Sequence, residues 1–256
     1  MVMAVTGNEA TTHNFETVAQ ANKLNAKRSD ALKLPAPNIS KALDDCAWPK
    51  DPCGKPICAV CARAYRIQIF EQVRDIAETL EGKAEIATVY LGAIEAGSLV
   101  KVKIASAHKK LRRRLNASGF GSAILIGGTE VAWIQDSGHW ALHVHLLALD
   151  VPNGAWDQLA ASLKKNAPPF PVERQDLEDP GEQLSYLTKF FTFHRPGKGN
   201  AAGHARAMPL PQKRLFELAR WWDEYRFQDF ALLYNARRVH GQILVRNDDG
   251  TRRSRK

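Results

Sequence analysis

Two long apolar segments separated by three turn-forming residues constrain this chain more than any other feature. Residues 122–135 and 139–149 flank Asp136-Ser137-Gly138. That pattern predicts two antiparallel strands joined as a hairpin. The second segment reads His-Trp-Ala-Leu-His-Val-His-Leu-Leu-Ala-Leu. Side chains on a strand alternate faces, so His143 and His145 lie side by side while Leu142, Val144 and Leu146 fill the other face. Neutral imidazole is a good metal ligand, and a strand can fix a pair of them. Taken alone, two histidines on a strand are more often ordinary core residues.

The hairpin offers a third ligand. An even-length connection puts Glu130 on the histidine face. Centred on Ser137-Gly138 it sets Glu130 opposite His145, and centred on Asp136-Ser137 it sets Glu130 opposite His143. An odd connection sends the carboxylate to the other side. A carboxylate within Ala-Ile-Leu-Ile-Gly-Gly-Thr-Glu-Val-Ala-Trp is costly to bury unless it is paired or metal-bound. Two imidazoles and one carboxylate leave coordination positions open, as a catalytic ion requires. The mixed nitrogen and oxygen set suits Mn²⁺ or Mg²⁺ and admits Zn²⁺. His139 shares the parity, but at the turn it reads as a surface residue.

All four cysteines, Cys46, Cys53, Cys58 and Cys61, fall within 16 residues, interleaved with Pro49, Pro52, Gly54 and Pro56. So little apolar surface cannot fold by itself, and a bound ion is the expected organiser. Cys58-Ala-Val-Cys61 has the spacing of a zinc half-site. A structural Zn²⁺ is the preferred reading, against four unrelated buried thiols or a redox pair lacking its βαβ context. No stretch approaches the roughly 20 apolar residues of a membrane span. No secretory signal is read at the N-terminus, so a cytoplasmic location is expected. The formal net charge is +9, which favours a polyanionic partner. Lys109, Lys110, Arg112, Arg113 and Arg114 on a predicted helix are the expected contacts to a DNA backbone.

The order of elements predicts an α+β fold: an antiparallel sheet with flanking helices, plus a small N-terminal cysteine module. Residues 1–40 are polar and irregular and read as a flexible leader. Residues 41–62 form the cysteine segment, 63–200 the main domain, 201–247 a helical extension and 248–256 a basic tail. Within these, a helix is expected at 63–80, a strand at 84–91, the basic helix at 99–115 and a short helix at 155–165. A largely helical stretch follows at 177–193, and a long helix carrying Trp221 and Trp222 at 212–234.

In the stretch 177–193, Glu182, Tyr186 and Lys189 fall at spacings of four and three and line one helix face. An adjacent ammonium favours the phenolate of a tyrosine that is otherwise a poor nucleophile. His-hydrophobic-His on a strand, then Tyr-x-x-Lys on a helix about forty residues later, resembles the HUH endonucleases. The nearest likeness is to the rolling-circle plasmid replication initiators of the single-tyrosine class. The shared order (cysteine cluster, strand, basic helix, strand ending in Glu, His-x-His strand, tyrosine helix) covers roughly residues 46–195. Phe190 stands where many relatives carry a second tyrosine, which puts a two-tyrosine mechanism in doubt. Ala141 and Leu142 replace a frequent His-Pro, and the strand beginning at Ile86 matches only loosely.

The resemblance implies an RRM-like palm and a division of labour. His143, His145 and Glu130 would hold a divalent ion that polarises the scissile phosphate. Tyr186 would attack it, leaving a 5′-phosphotyrosine and a free 3′-hydroxyl that primes synthesis. Lys189 would orient the phosphate or metal, and Glu182 would activate the water that ends the cycle. Implied partners are origin DNA, single-stranded or as a hairpin, and the host replication helicase and polymerase. Two other classes compete: a related single-tyrosine transposase or relaxase, and a non-catalytic zinc-dependent DNA-binding regulator.

Overall fold

The computed structural model describes residues 15–80, 82–163, 171–190, 193–194 and 208–245. The basic tail and the first fourteen residues of the expected leader lie outside them. In chain order the helices are α1 (Val18–Leu32), α2 (Pro37–Asp44), α3 (Ala59–Thr79), α4 (Ile104–Ala117), α5 (Ala155–Leu163), α6 (Pro180–Ser185) and α7 (Gln212–Asp223). The strands are β1 (Ala84–Glu95), β2 (Ile124–Ile134), β3 (His139–Leu149), β4 (Val172–Asp176), β5 (Phe193–His194), β6 (Met208–Pro209), β7 (Ala231–Tyr234), β8 (Ala236–Val239) and β9 (Gln242–Val245). The α+β expectation holds, with a five-stranded antiparallel sheet in the order β4-β1-β3-β2-β7.

Strand alternation divides this sheet into two coats. On one face Ile86, Ile124, Ile126, Leu147 and Leu149 pack against Ile67, Phe70 and Val73 of α3 and against Leu184 and Leu187. On the other, Ala87, Val89, Leu125, Val144 and Leu146 pack against Leu111 and Leu115 of α4 and Trp156 and Leu159 of α5. A third apolar cluster joins Trp133, Trp140 and Leu142 at the hairpin end of the sheet to α7 and to the helices around Cys58 and Cys61. Phe190 is a hub of that cluster, its ring edge-on to those of Tyr65, Trp222, Phe227 and Phe230 at 5.2–6.2 Å. Phe190 is thus part of the core.

Three expectations need correction. Within the expected flexible leader, 1–40, residues 18–32 and 37–40 belong to two packed helices, the second running on to Asp44. A Thr17/Gln20 capping box opens α1, and Pro37 stands in the first turn of α2, where its missing N–H costs nothing. Asn25, Arg28 and Ser29 share the buried face of α1 with Ala21 and Leu32, which is why its apolar periodicity is weak. Asn25 donates to the Leu43 carbonyl at 2.9 Å, Arg28 to the Ile57 carbonyl at 2.6 Å, and Ser29 shares a 2.8 Å bond with Ser40. The expected helical extension, 201–247, is only partly helix over its described residues, 208–245. Its helix stops at Asp223, and Ala231–Tyr234 pairs with β2 as the fifth strand of the sheet. Leu232 and Tyr234 are buried while Ala231 and Leu233 are less so, the period of two that a strand requires. The helix expected over 177–193 is six residues long, as described with the site below.

His108, on the buried side of α4, hydrogen-bonds through Nε2 to Thr129 Oγ1 at 2.5 Å. Burial, and secondarily the Arg112 guanidinium, lower its pKa from 6.5 to about 4. A histidine held neutral in the folded state leaves stability whole above the unfolded value and erodes it as pH falls from 6.5 towards 4. The loss is about 1.4 kcal/mol per pH unit over that window, some ~3 kcal/mol in all. His108→Gln keeps a partner for Thr129 without a titrating ring. The difference in urea-unfolding stability between pH 7 and pH 5 is therefore smaller in this variant than in the wild type.

Candidate metal and tyrosine site

The connection between β2 and β3 is even. Ile134 pairs with His139 across a four-residue turn, so Glu130 stands directly opposite His143 and Gly128 opposite His145. This is the register centred on Asp136-Ser137. Glu130, His143 and His145 come together as one group on the α3 side of the sheet, while His139 stays outside it at the hairpin end. Glu130 Oε2 lies 3.1 Å from His145 Nε2 and 3.6 Å from His143 Nε2. It is buried and yet makes no hydrogen bond among the described residues.

The outer nitrogens explain how the rings are held. His143 Nδ1 faces the Ala141 carbonyl at 3.2 Å. A carbonyl can only accept, so the proton sits on Nδ1 and the neutral ring keeps its Nε2 lone pair towards Glu130. His145 Nδ1 is 2.9 Å from Thr88 Oγ1, which can hold the same tautomer. With that tautomer in both rings, two lone pairs and a carboxylate oxygen converge, three acceptors that a bound cation would satisfy. Burial alone would push the Glu130 carboxyl up, but the two imidazoles outweigh it and bring it down to about 2. Burial likewise works against charge on His143, and Glu130 outweighs it to raise the His143 pKa. The donor set fits a divalent metal, with each ring nitrogen remote from the ion anchored as such ligands require.

Sequence reasoning missed the rest of this surface. Thr88 pairs with His145 and Tyr90 with His143, while Glu173 of β4 lies beyond Thr88 in the same row. Leu91 is the extra residue of a bulge between Tyr90 and Gly92, which ends the site row on β1. The alternation around Thr88 and Tyr90 was a usable signal. Glu173 carried none until strand pairing brought it near.

The tyrosine segment reaches the same face by a different route from the one expected. Asp179 caps α6 by accepting from the Glu182 amide at 3.0 Å, and Tyr186 is already the C-cap residue. A helix face carrying Glu182, Tyr186 and Lys189 therefore does not form as expected. Glu182 and Tyr186 are both exposed, and Lys189 lies beyond the helix. From there its ammonium returns over the face of the Tyr186 ring, a cation–π contact. What docks this segment is Gly128. A Cβ at that position would stand 2.5 Å from the Leu187 carbonyl oxygen and 3.2 Å from Thr188 Cγ2. The backbone just after Tyr186 therefore lies against the strand position opposite His145.

The four cysteines also meet. Sγ separations are 3.6 Å for Cys46–Cys61, 3.8 Å for Cys53–Cys61 and 3.6 Å for Cys46–Cys58. Four sulfurs about 2.3 Å from a common centre stand ~3.8 Å apart at the corners of a tetrahedron. The group is therefore already spaced to hold a zinc ion. Cys58 caps α3 and accepts from the Cys61 amide, where the helix dipole favours a thiolate. Sharing protons with its neighbours, together with burial, pushes the Cys58 and Cys61 thiols up, while bonds from Cys58 and Cys61 pull Cys53 down. Arg28, almost fully buried, sets a positive charge near Cys58.

The basic helix stands apart from both groups. Leu111 and Leu115 pack α4 on the sheet face opposite Glu130, His143 and His145. Lys109, Lys110 and Arg113 are exposed there, with Arg112 and Arg114 half-buried.

Two outcomes follow from this geometry. In Mn²⁺ titration calorimetry, Glu130→Gln abolishes measurable binding, and Thr88→Val, which frees the His145 ring, weakens it about 10–100-fold. Metal analysis of the purified chain finds one tightly held zinc, and its removal, or Cys61→Ser, lowers the melting temperature by about 10 °C or more. No helix among the described residues is long and apolar enough to cross a membrane. Comparison with family models, with characterised proteins and with solved structures finds no match.

Proposed function

We propose that this protein is a metal-dependent single-strand DNA endonuclease and strand transferase of the HUH type, acting as a rolling-circle plasmid replication initiator. The observation that carries the reading is the convergence of Glu130, His143 and His145 on the sheet face against which the backbone after Tyr186 packs. A bound divalent ion, with Mn²⁺ or Mg²⁺ suiting the donor set, supplies charge neutralisation on the scissile phosphate.

The remaining chemistry belongs to the chain. Tyr186 Oη bonds to phosphorus as the bond from phosphorus to the 3′-oxygen breaks. The phenol gives up one proton and the departing oxygen takes one up, leaving a 5′-phosphotyrosine and a free 3′-hydroxyl. Lys189, over the Tyr186 ring, restricts the phenol to a narrow range of directions and sets a positive charge near the incoming phosphate. Glu182, exposed one helical turn before the tyrosine, takes a proton from the water that later releases the strand. Phe190 is core, so one tyrosine serves both halves of the cycle. The Cys₄ group, as a zinc site, holds the helices against which the tyrosine segment packs.

Incubation with a labelled single-stranded origin oligonucleotide and Mn²⁺ yields a covalent adduct that Tyr186→Phe abolishes. An adduct persisting in that variant overturns the assignment. Gly128→Ala, which pushes the Leu187 carbonyl away from the sheet, leaves Mn²⁺ binding intact and slows adduct formation about 100-fold.

A further inference from the structure

A cavity of about 390 Å³ opens between α1, α3 and Phe190, at the lower end of the size range of small-ligand sites. Its walls divide by chemistry. Leu24, Ala59, Ala62 and the Phe190 ring are apolar, while Lys23, Lys27, Arg28 and Arg66 set four cationic groups against the single carboxylate of Glu16. Lys23 and Lys27 are exposed one turn apart on α1, a spacing that lets both ammonium groups reach one anion. Arg66 is buried, with NH1 held by Glu16 at 2.8 and 3.1 Å. Its Nε is buried without a hydrogen-bond partner among the described residues. A buried donor with no described partner inside a basic pocket is open to an acceptor. An apolar slot with an aromatic wall and a cationic rim is the pairing that a nucleotide satisfies, its base against the apolar wall and its phosphate on the lysines.

We propose that this cavity binds one nucleotide of the DNA strand handled by Tyr186, with the phosphate on Lys23 and Lys27 and the base against Leu24, Ala62 and Phe190. The inference rests on the nicking reading for its choice of a strand nucleotide over a free one. Phe190 supplies the link, lining the cavity four residues beyond Tyr186 on the same segment. The ordering of that strand would then be shared between two places, the metal site and the α1–α3 cavity.

The test uses the full zinc-loaded chain as Tyr186→Phe, without added Mn²⁺, so that binding is read without cleavage. Fluorescence anisotropy with labelled (dT)₁₀ is measured over a salt series, alongside titration with dTMP. Lys23→Glu/Lys27→Glu, which alters two exposed side chains, raises the (dT)₁₀ dissociation constant at least tenfold and flattens the logarithmic salt dependence by about 1. Leu24→Trp, which fills the apolar wall without changing charge, weakens binding with the salt dependence unchanged. If both variants bind (dT)₁₀ like their parent, the proposal is overturned. If they lose only dTMP, the cavity takes a free nucleotide and the strand assignment falls. Cavity-dependent (dT)₁₀ binding by a chain that never forms an adduct with tyrosine intact upholds the cavity and removes the nicking reading. Adduct formation unaltered by either variant, with unaltered binding, does the reverse.

Discussion

The register of the β2–β3 hairpin is the constraint on which the candidate site depends. A four-residue turn between Ile134 and His139 brings Glu130 opposite His143. One residue more or fewer would turn the carboxylate into the face occupied by Val144 and Leu146, where α4 and α5 pack. Both faces of these strands are apolar over most of their length, so a slip would strand Glu130 in the wrong core and expose nothing useful in exchange. The trio is thus part of the sheet's pairing and not an addition to it. Its buried Oε2, without a hydrogen-bond partner among the described residues, is the cost that a bound cation would remove.

A second centre is built on different principles. The cysteine segment has little apolar area, and its order comes from four sulfurs at tetrahedral spacing and from polar side chains of α1 that bond to its backbone. Asn25 both donates to the Leu43 carbonyl and accepts from the Ala59 amide at 3.2 Å. Arg28 places a buried positive charge where thiolates would place negative ones. Helix α3 begins at this centre and ends beneath the sheet, packing Ile67, Phe70 and Val73 against the strands that bear the histidines. The two metal-capable groups are consequently parts of one packed body, joined by the cluster that contains Phe190, Trp222 and Cys61.

Some of this was legible from residues alone. The hairpin strands, the Cys₄ group and the inward pair of histidines follow from alternation and spacing, because those rules act on neighbours in the chain. The rest was hidden for identifiable reasons. Helix α1 buries Asn25, Arg28 and Ser29 where a helix normally buries leucine, so beside Ala21 and Leu32 its face carries only a weak apolar signature. The stretch after Pro180 carries helical spacing for more than ten residues, yet the helix stops at Ser185 and the chain leaves it to dock Leu187 and Thr188 on Gly128. The strand at Ala231–Tyr234 looks like the end of a helix until it finds the edge of β2.

What the sequence by itself determined is the chemistry on offer: which side chains can ligate, attack or carry charge, and the parity that keeps His143 and His145 together. Tertiary structure alone decided which of those groups share a surface. It chose the even hairpin turn, set the basic helix on the face away from the metal ligands, and brought Lys189 over the Tyr186 ring. It also enclosed a basic, apolar-walled cavity between helices whose existence the composition of residues 15–44 conceals. The physical reason is that alternation and capping are local, acting within a few residues. The face a helix covers, or the glycine against which a turn rests, is settled by packing between segments far apart in the chain.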